Sequence, residues 1–154
     1  MYFPYFRGKQ FELIAIRETA KLIADTGFVP VIEPVREQFT GLKRALDVLR
    51  DCNAEAVVVV NPQEGDLVGN TEAISDLLTN EYGDFPGLQI GVVVTNRMTA
   101  KGVSTSLKQF DDRSVALIHH DFREPLALAT LAKNHGISTN CFIGDTTGQG
   151  HRIL

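Results

Sequence analysis

The chain is short of cysteine, of long apolar runs and of surplus positive charge, and each shortage removes a class of protein. Two cysteines in 154 residues, Cys52 and Cys141, can build neither a disulfide framework nor a four-ligand zinc site by themselves. That usage suits a reducing compartment, so a cytoplasmic location with both thiols reduced is expected. No apolar stretch approaches the roughly 20 residues that a membrane span needs. The opening MYFPYFRGK also lacks the apolar centre of a signal peptide. The 15 Lys and Arg residues against 19 Asp and Glu leave a formal charge of −4. Non-specific nucleic-acid affinity comes from clustered cations, so general nucleic-acid binding is not expected, while a local basic patch stays open. No G-x-S-x-G elbow occurs, no Walker lysine and no G-x-G-x-x-G fingerprint.

What the chain does have is alternation. Apolar, β-branched runs recur at Phe28–Ile32, Ala56–Val60, Ile90–Val94, Val115–Ile118 and Ile137–Ile143, with Tyr2–Phe6 as a weaker first member because Pro4 cannot donate to a ladder. These runs do not alternate with polar residues, which predicts strands covered on both faces, as in a parallel sheet flanked by helices. The intervening segments carry helical spacing. Phe11, Ile14, Ala15, Leu22 and Ile23 predict one face of a helix from about Lys9 to Ala24, stopped by Gly27. Leu42, Ala45, Leu46 and Leu49 mark a second helix, and Ile74, Leu77 and Leu78 a third, capped by Asn70 or Thr71. A fourth spans about Thr99 to Phe110 with weak propensity. A fifth carries Leu126, Ala129 and Leu131 between Pro125 and Gly136.

Strand–helix alternation without a linker predicts one α/β domain over residues 1–154. Two architectures use it, the (β/α)8 barrel and the open doubly wound sheet. The repeat of about 25 to 30 residues matches the roughly 250 residues of an eight-unit barrel, which favours a partial TIM-like barrel of about six parallel strands. The reading expects the N-terminal part of a longer barrel, whose two open strand edges would favour self-association.

In either architecture functional groups gather where strands end at their carboxyl side. Residues at those positions are Arg7, Lys9 and Glu12, then Glu33, Asn61, Asn96, His119 with His120 and Asp121, and Asp145. Glu33 and His119 are the candidate acid/base groups, since histidine titrates near neutral pH. His119 and Asp121 can share a side, whereas His119 and His120 point to opposite faces. Arg7, Lys9, Asn61, Asn96, Asp121 and Asp145 are the candidate ligand contacts. Lys9 and Glu12, three apart, can pair on the first helical turn, with Glu33 a further partner; alternatively Lys9 contacts an anion beside that helix terminus. The stretch Gly144–Gly150 reads as a turn with the character of an anion-binding loop. Neither cysteine sits in a nucleophile context; Cys52 follows the second helix and Cys141 is expected in the core.

The opening Tyr2-x-Pro4, Arg7-Gly-Lys9, Glu12 and Ala15-Ile16, followed by Pro30-x-Ile-Glu33-Pro34, resembles the bacterial and phage family called beta protein. The resemblance is specific over the first 34 residues, with Asn61-Pro62 and the His119 strand fitting more loosely. It implies a barrel-like α/β protein of about twice this length, with phage-related gene neighbours, and it brings no established reaction. The functional expectation is a phosphate- or nucleotide-handling protein, with a small phosphorylated ligand at the carboxyl rim. The alternative is a non-enzymatic interaction protein of a phage-related or defence system. Cofactor and metal stay open.

Overall fold

Proline placement sets where the first strands begin. The computed structural model describes residues 1–143. Its first strand, β1, is Tyr5–Arg7 and its second, β2, is Val31–Glu33, each starting just after a proline. Pro4 and Pro30 donate nothing, but their carbonyls accept from Val31 N and Val57 N of the next strand, at 2.8 and 2.9 Å. The remaining strands are β3 (Ala56–Val59), β4 (Leu88–Thr95), β5 (Val115–His120) and β6 (Thr139–Phe142). The helices are α1 (Gln10–Glu18), α2 (Ala20–Thr26), α3 (Thr40–Asp51), α4 (Thr71–Tyr82), α5 (Ala100–Leu107) and α6 (Pro125–Asn134). The fold is therefore α/β, and strand pairing is parallel.

Two compact units divide the chain within β4, at Gly91 and Val92. In the first, strand neighbours follow chain order, β1-β2-β3-β4. That sequential winding is the one a (β/α) barrel uses, since a doubly wound sheet reverses its strand order at a switch point. The β3 segment is buried on both faces, as its unbroken valine run requires. In α3, Leu42, Ala45, Leu46 and Leu49 form the buried stripe the spacing predicts. Burying a leucine such as Leu46 stabilises the fold by about 2 kcal/mol. Asn70 caps α4 by accepting from Ala73 N.

The first long helix departs from expectation. It breaks at Thr19, whose hydroxyl donates to the Ala15 carbonyl at 2.7 Å and competes with the backbone ladder. The buried stripe is Leu13, Ile16, Ala20 and Ile23, while Phe11 is 82% exposed and Leu22 faces out. Packing selects this phase: α1 lies against α3, and a methyl group added at Gly41 would stand 3.1 Å from Leu13 Cδ1.

In the second unit β5 pairs with β6, and α5 packs on α6. Thr99 caps α5 through Gly102 N, and the segment continues as a single 3-10 turn to Phe110. Pro125 opens α6, yet the buried residues are Leu128 and Ala132, with Leu126 on the outside. The β6 strand is half-exposed rather than covered on both faces, so Cys141 is only half-buried.

Candidate functional site

Glu33 ends β2 and is 3% exposed. A buried carboxylate is costly unless hydrogen-bonded, and both of its oxygens have donors. The Tyr5 hydroxyl donates to Oε2 at 2.9 Å, and the Gln63 backbone N–H donates to Oε1 at 2.6 Å. The parallel register explains the first contact: Tyr5 aligns with Val31 and Arg7 with Glu33, so Tyr5 and Glu33 share a sheet face. Burial, reinforced by the Glu33 charge, pushes the Tyr5 phenol far above its ordinary range, so Tyr5 remains a donor.

The expected partnership of Glu33 with Lys9 is not what forms. Arg7 instead reaches Glu64 at 2.8 Å, in a half-exposed pair worth little in itself. Charge attraction alone does not decide the pairing, because the loop after β3 delivers a backbone N–H to Glu33 and a carboxylate to Arg7. That loop is fastened further by Asp66 N donating to the Val35 carbonyl at 3.0 Å. Gly65 makes the approach feasible: its φ is +88°, and a Cβ there would collide with Val35. Asn61 enters through its backbone, its carbonyl accepting from Gln63 Nε2 at 2.7 Å.

Beside this fastened rim lies a groove of about 890 Å³ between α1 and α3. It opens where β1, β2 and β3 hand over to their helices, at Lys9, Arg36 and Asp66, and extends along α1 to Ile14 and Arg17 and along α3 to Arg44. Its lining includes four cations, Lys9, Arg17, Arg36 and Arg44, and two carboxylates, Glu37 and Asp66. Among the described residues none of the four cations forms an ion pair. Both helices start at the rim without a side-chain cap, at Lys9 and at Phe39, which leaves N–H groups and the positive dipole ends free for an anion. Lys9 is thus placed as the sequence suggests, as a cation beside a helix start. Glu12 does not pair with it; Glu12 Oε2 is buried without a partner.

The other expected residues belong to the second unit. Asn96 is exposed in the turn after β4. His119, the penultimate residue of β5, has Nε2 2.9 Å from Asn140 Oδ1, and its ring stacks on Phe142 at 4.3 Å. His120, next along the strand, faces the other way. Asp121 has φ +65°, a left-handed conformation that aspartate tolerates better than most residues. Among the described residues no group of three or more His, Cys, Asp and Glu is arranged to hold a metal ion. Asp145 and the Gly144–Gly150 stretch lie outside the described residues. Burial pushes the Cys141 thiol up to about 11, which lowers its thiolate fraction at neutral pH.

Sequence reasoning missed Arg17, Arg36, Arg44, Tyr5 and Gln63. Arg17 lies eight residues after Lys9 and could have been aligned with it once the buried stripe was phased on Leu13. Arg36 and Arg44 become groove residues only through the packing of α3 on α1. Among the described residues no helix is long and apolar enough to cross a membrane. No family model matches the chain, and no curated protein matches it.

Proposed function

We propose that the chain binds a small phosphorylated ligand in the groove between α1 and α3, at the carboxyl rim of the first unit. The observation that carries this reading is the gathering of Lys9, Arg17, Arg36 and Arg44 around one groove without ion-pair partners, in a chain whose net charge is −4. Unpaired cations around a concavity create a local positive potential that overall acidity does not cancel. The volume falls in the range of small-molecule sites, about 300 to 1,000 Å³. The phosphate would sit at the rim, over the uncapped start of α1, with Lys9 and Arg36 as charged donors. Glu33 would serve from beneath by fixing the loop that presents Asp66, and Arg7 by holding Glu64. The resemblance to the beta protein family belongs to this proposal as well, and so does a cytoplasmic location.

The test is calorimetric titration and thermal shift with inorganic phosphate, ribose 5-phosphate and adenosine 5′-monophosphate, on the parent chain and on Lys9→Ala and Arg36→Ala. A ligand at a hundredfold its Kd should stabilise the chain by about 2.7 kcal/mol. For a chain of this size that corresponds to roughly 5 to 11 °C in Tm. Each substitution should weaken binding about tenfold. Absence of any shift, or a shift that both variants retain in full, refutes the reading.

A further inference from the structure

The groove has two cationic ends and an apolar middle, and its register can be read from helix geometry. The α1 and α3 helices follow parallel strands and therefore run in the same direction. Gly41 of α3 lies level with Leu13 of α1, as the 3.1 Å approach of an added Cβ to Leu13 Cδ1 shows. Lys9 stands one turn above that level and Arg17 one turn below; Arg44 is three residues below Gly41. Arg17 and Arg44 thus both lie toward the far end of the groove, Arg17 about 12 Å along the helix axis from Lys9.

The two ends differ. Both lining carboxylates, Glu37 and Asp66, come from the rim loops after β2 and β3, so the rim offers cations together with acceptors. The far end offers Arg17 and Arg44 with no lining carboxylate beside them. Between the ends the groove is lined by Leu13 and Ile14, with Gly41 of α3 facing Leu13 closely because it carries no side chain.

Resting on the proposed phosphate site, we infer that its ligand is an elongated, two-headed anion. One head is a phosphate that also carries hydroxyl or ammonium donors, held at the rim by Lys9 and Arg36 with Asp66 and Glu37 accepting. The second head is another phosphate or carboxylate, held by the Arg17 and Arg44 guanidinium groups. An apolar body of about 10 to 12 Å lies across Leu13 and Ile14 and separates the heads. Two guanidinium groups suit an oxyanion better than any neutral group, since each can donate a forked pair of hydrogen bonds.

The test is a length series titrated into the full chain by calorimetry: inorganic phosphate, hexyl phosphate, and the bisphosphates of ethanediol, hexanediol and decanediol. Hexanediol bisphosphate should bind at least about tenfold tighter than hexyl phosphate and tighter than either other bisphosphate. Arg17→Gln combined with Arg44→Gln should abolish that advantage, so that the double variant binds hexanediol bisphosphate no tighter than it binds hexyl phosphate. Affinity that ignores chain length, or a bisphosphate advantage that the double variant keeps, overturns the two-headed ligand but leaves a phosphate site standing. Failure of all five compounds overturns the phosphate site itself. A single-stranded oligothymidylate that competes with a steep salt dependence and outbinds every bisphosphate would overturn the small-ligand inference in favour of a polyanion track.

Discussion

Replacing Tyr5 by Phe removes one hydroxyl and should cost far more than a surface change. The lost bond runs from the phenol to Glu33 Oε2 at 2.9 Å, inside a fold where Glu33 is 3% exposed. A hydrogen bond to a charged group contributes about 1.5 to 3 kcal/mol, and the buried oxygen left behind cannot recruit water freely. We expect Tyr5→Phe to lower the unfolding free energy by about 2 kcal/mol, roughly 4 to 8 °C in Tm. Glu33→Gln keeps an acceptor for Gln63 N–H but discards the charge, so the same Tyr5→Phe change in that background should cost only about 1 kcal/mol. The coupling is therefore about 1 kcal/mol, measurable by urea denaturation of the four proteins in a double-mutant cycle. Additivity of the two changes, or a Tyr5→Phe cost below about 0.5 kcal/mol, would show that the phenol and the carboxylate do not depend on each other. Unchanged m-values are needed for the comparison, because a shift in m would move the effect into the denatured state.

Further outcomes can be checked with the same preparations. Gly65→Ala should cost about 2 to 4 kcal/mol in chemical denaturation, since φ is +88° and the added methyl meets Val35, whereas Gly69→Ala, at φ +78° with open space around it, should cost about 1 kcal/mol. Alkali should destabilise the chain through Tyr5 and Tyr82, whose phenols are pushed up, by burial first and then by Glu33 and Asp47 respectively. Folding holds these protons more tightly than the unfolded chain does, so their contribution is full below pH of about 10 and declines above it, by up to about 1.4 kcal/mol per pH unit for each phenol. Urea melts from pH 8 to 11 on the parent, Tyr5→Phe and Tyr82→Phe should show the variants with the shallower decline; parallel curves would exclude the phenols as its source. Cys141, with its thiol pushed up to about 11, should react with an aromatic disulfide reagent at pH 8 about a hundredfold more slowly than an exposed model thiol, followed by absorbance on Cys52→Ser.

Strands β3, β4 and β5 were legible because their apolar runs are rich in β-branched residues, and in β1 and β2 prolines shift only the first residues. The α3 stripe was legible for the same reason: one strongly amphipathic pattern admits one phase. In the Lys9–Ala24 segment two apolar stripes compete, one through Phe11 and Leu22 and one through Leu13 and Ile23. Packing on α3, where Leu13 meets Gly41, accompanies the second, and that contact is tertiary. The candidate site shows the same division. Lys9 and Glu33 were visible because they follow strands in the chain. Arg17 and Arg44 were not, because they lie on helices away from the strand ends and come to one groove only through the packing of α3 on α1. The partners of Glu33 were hidden too, since Gln63 contributes a backbone N–H that no side-chain pattern announces.

The fastening of the loop after β3 also bears on how this chain tolerates changes in length. Between Asn61 and Asp66 the loop is tied at Gln63, Glu64 and Asp66, and Gly65 has no room for a side chain. Inserting or deleting one residue there would put every tie out of step at once. Three residues further on, Gly69 has nothing within 4 Å of an added Cβ, and α4 starts afresh under its own Asn70 cap. An affinity tag, a fluorophore-bearing cysteine or a protease site belongs at Val68–Gly69, where the backbone can bulge outward without disturbing the rim.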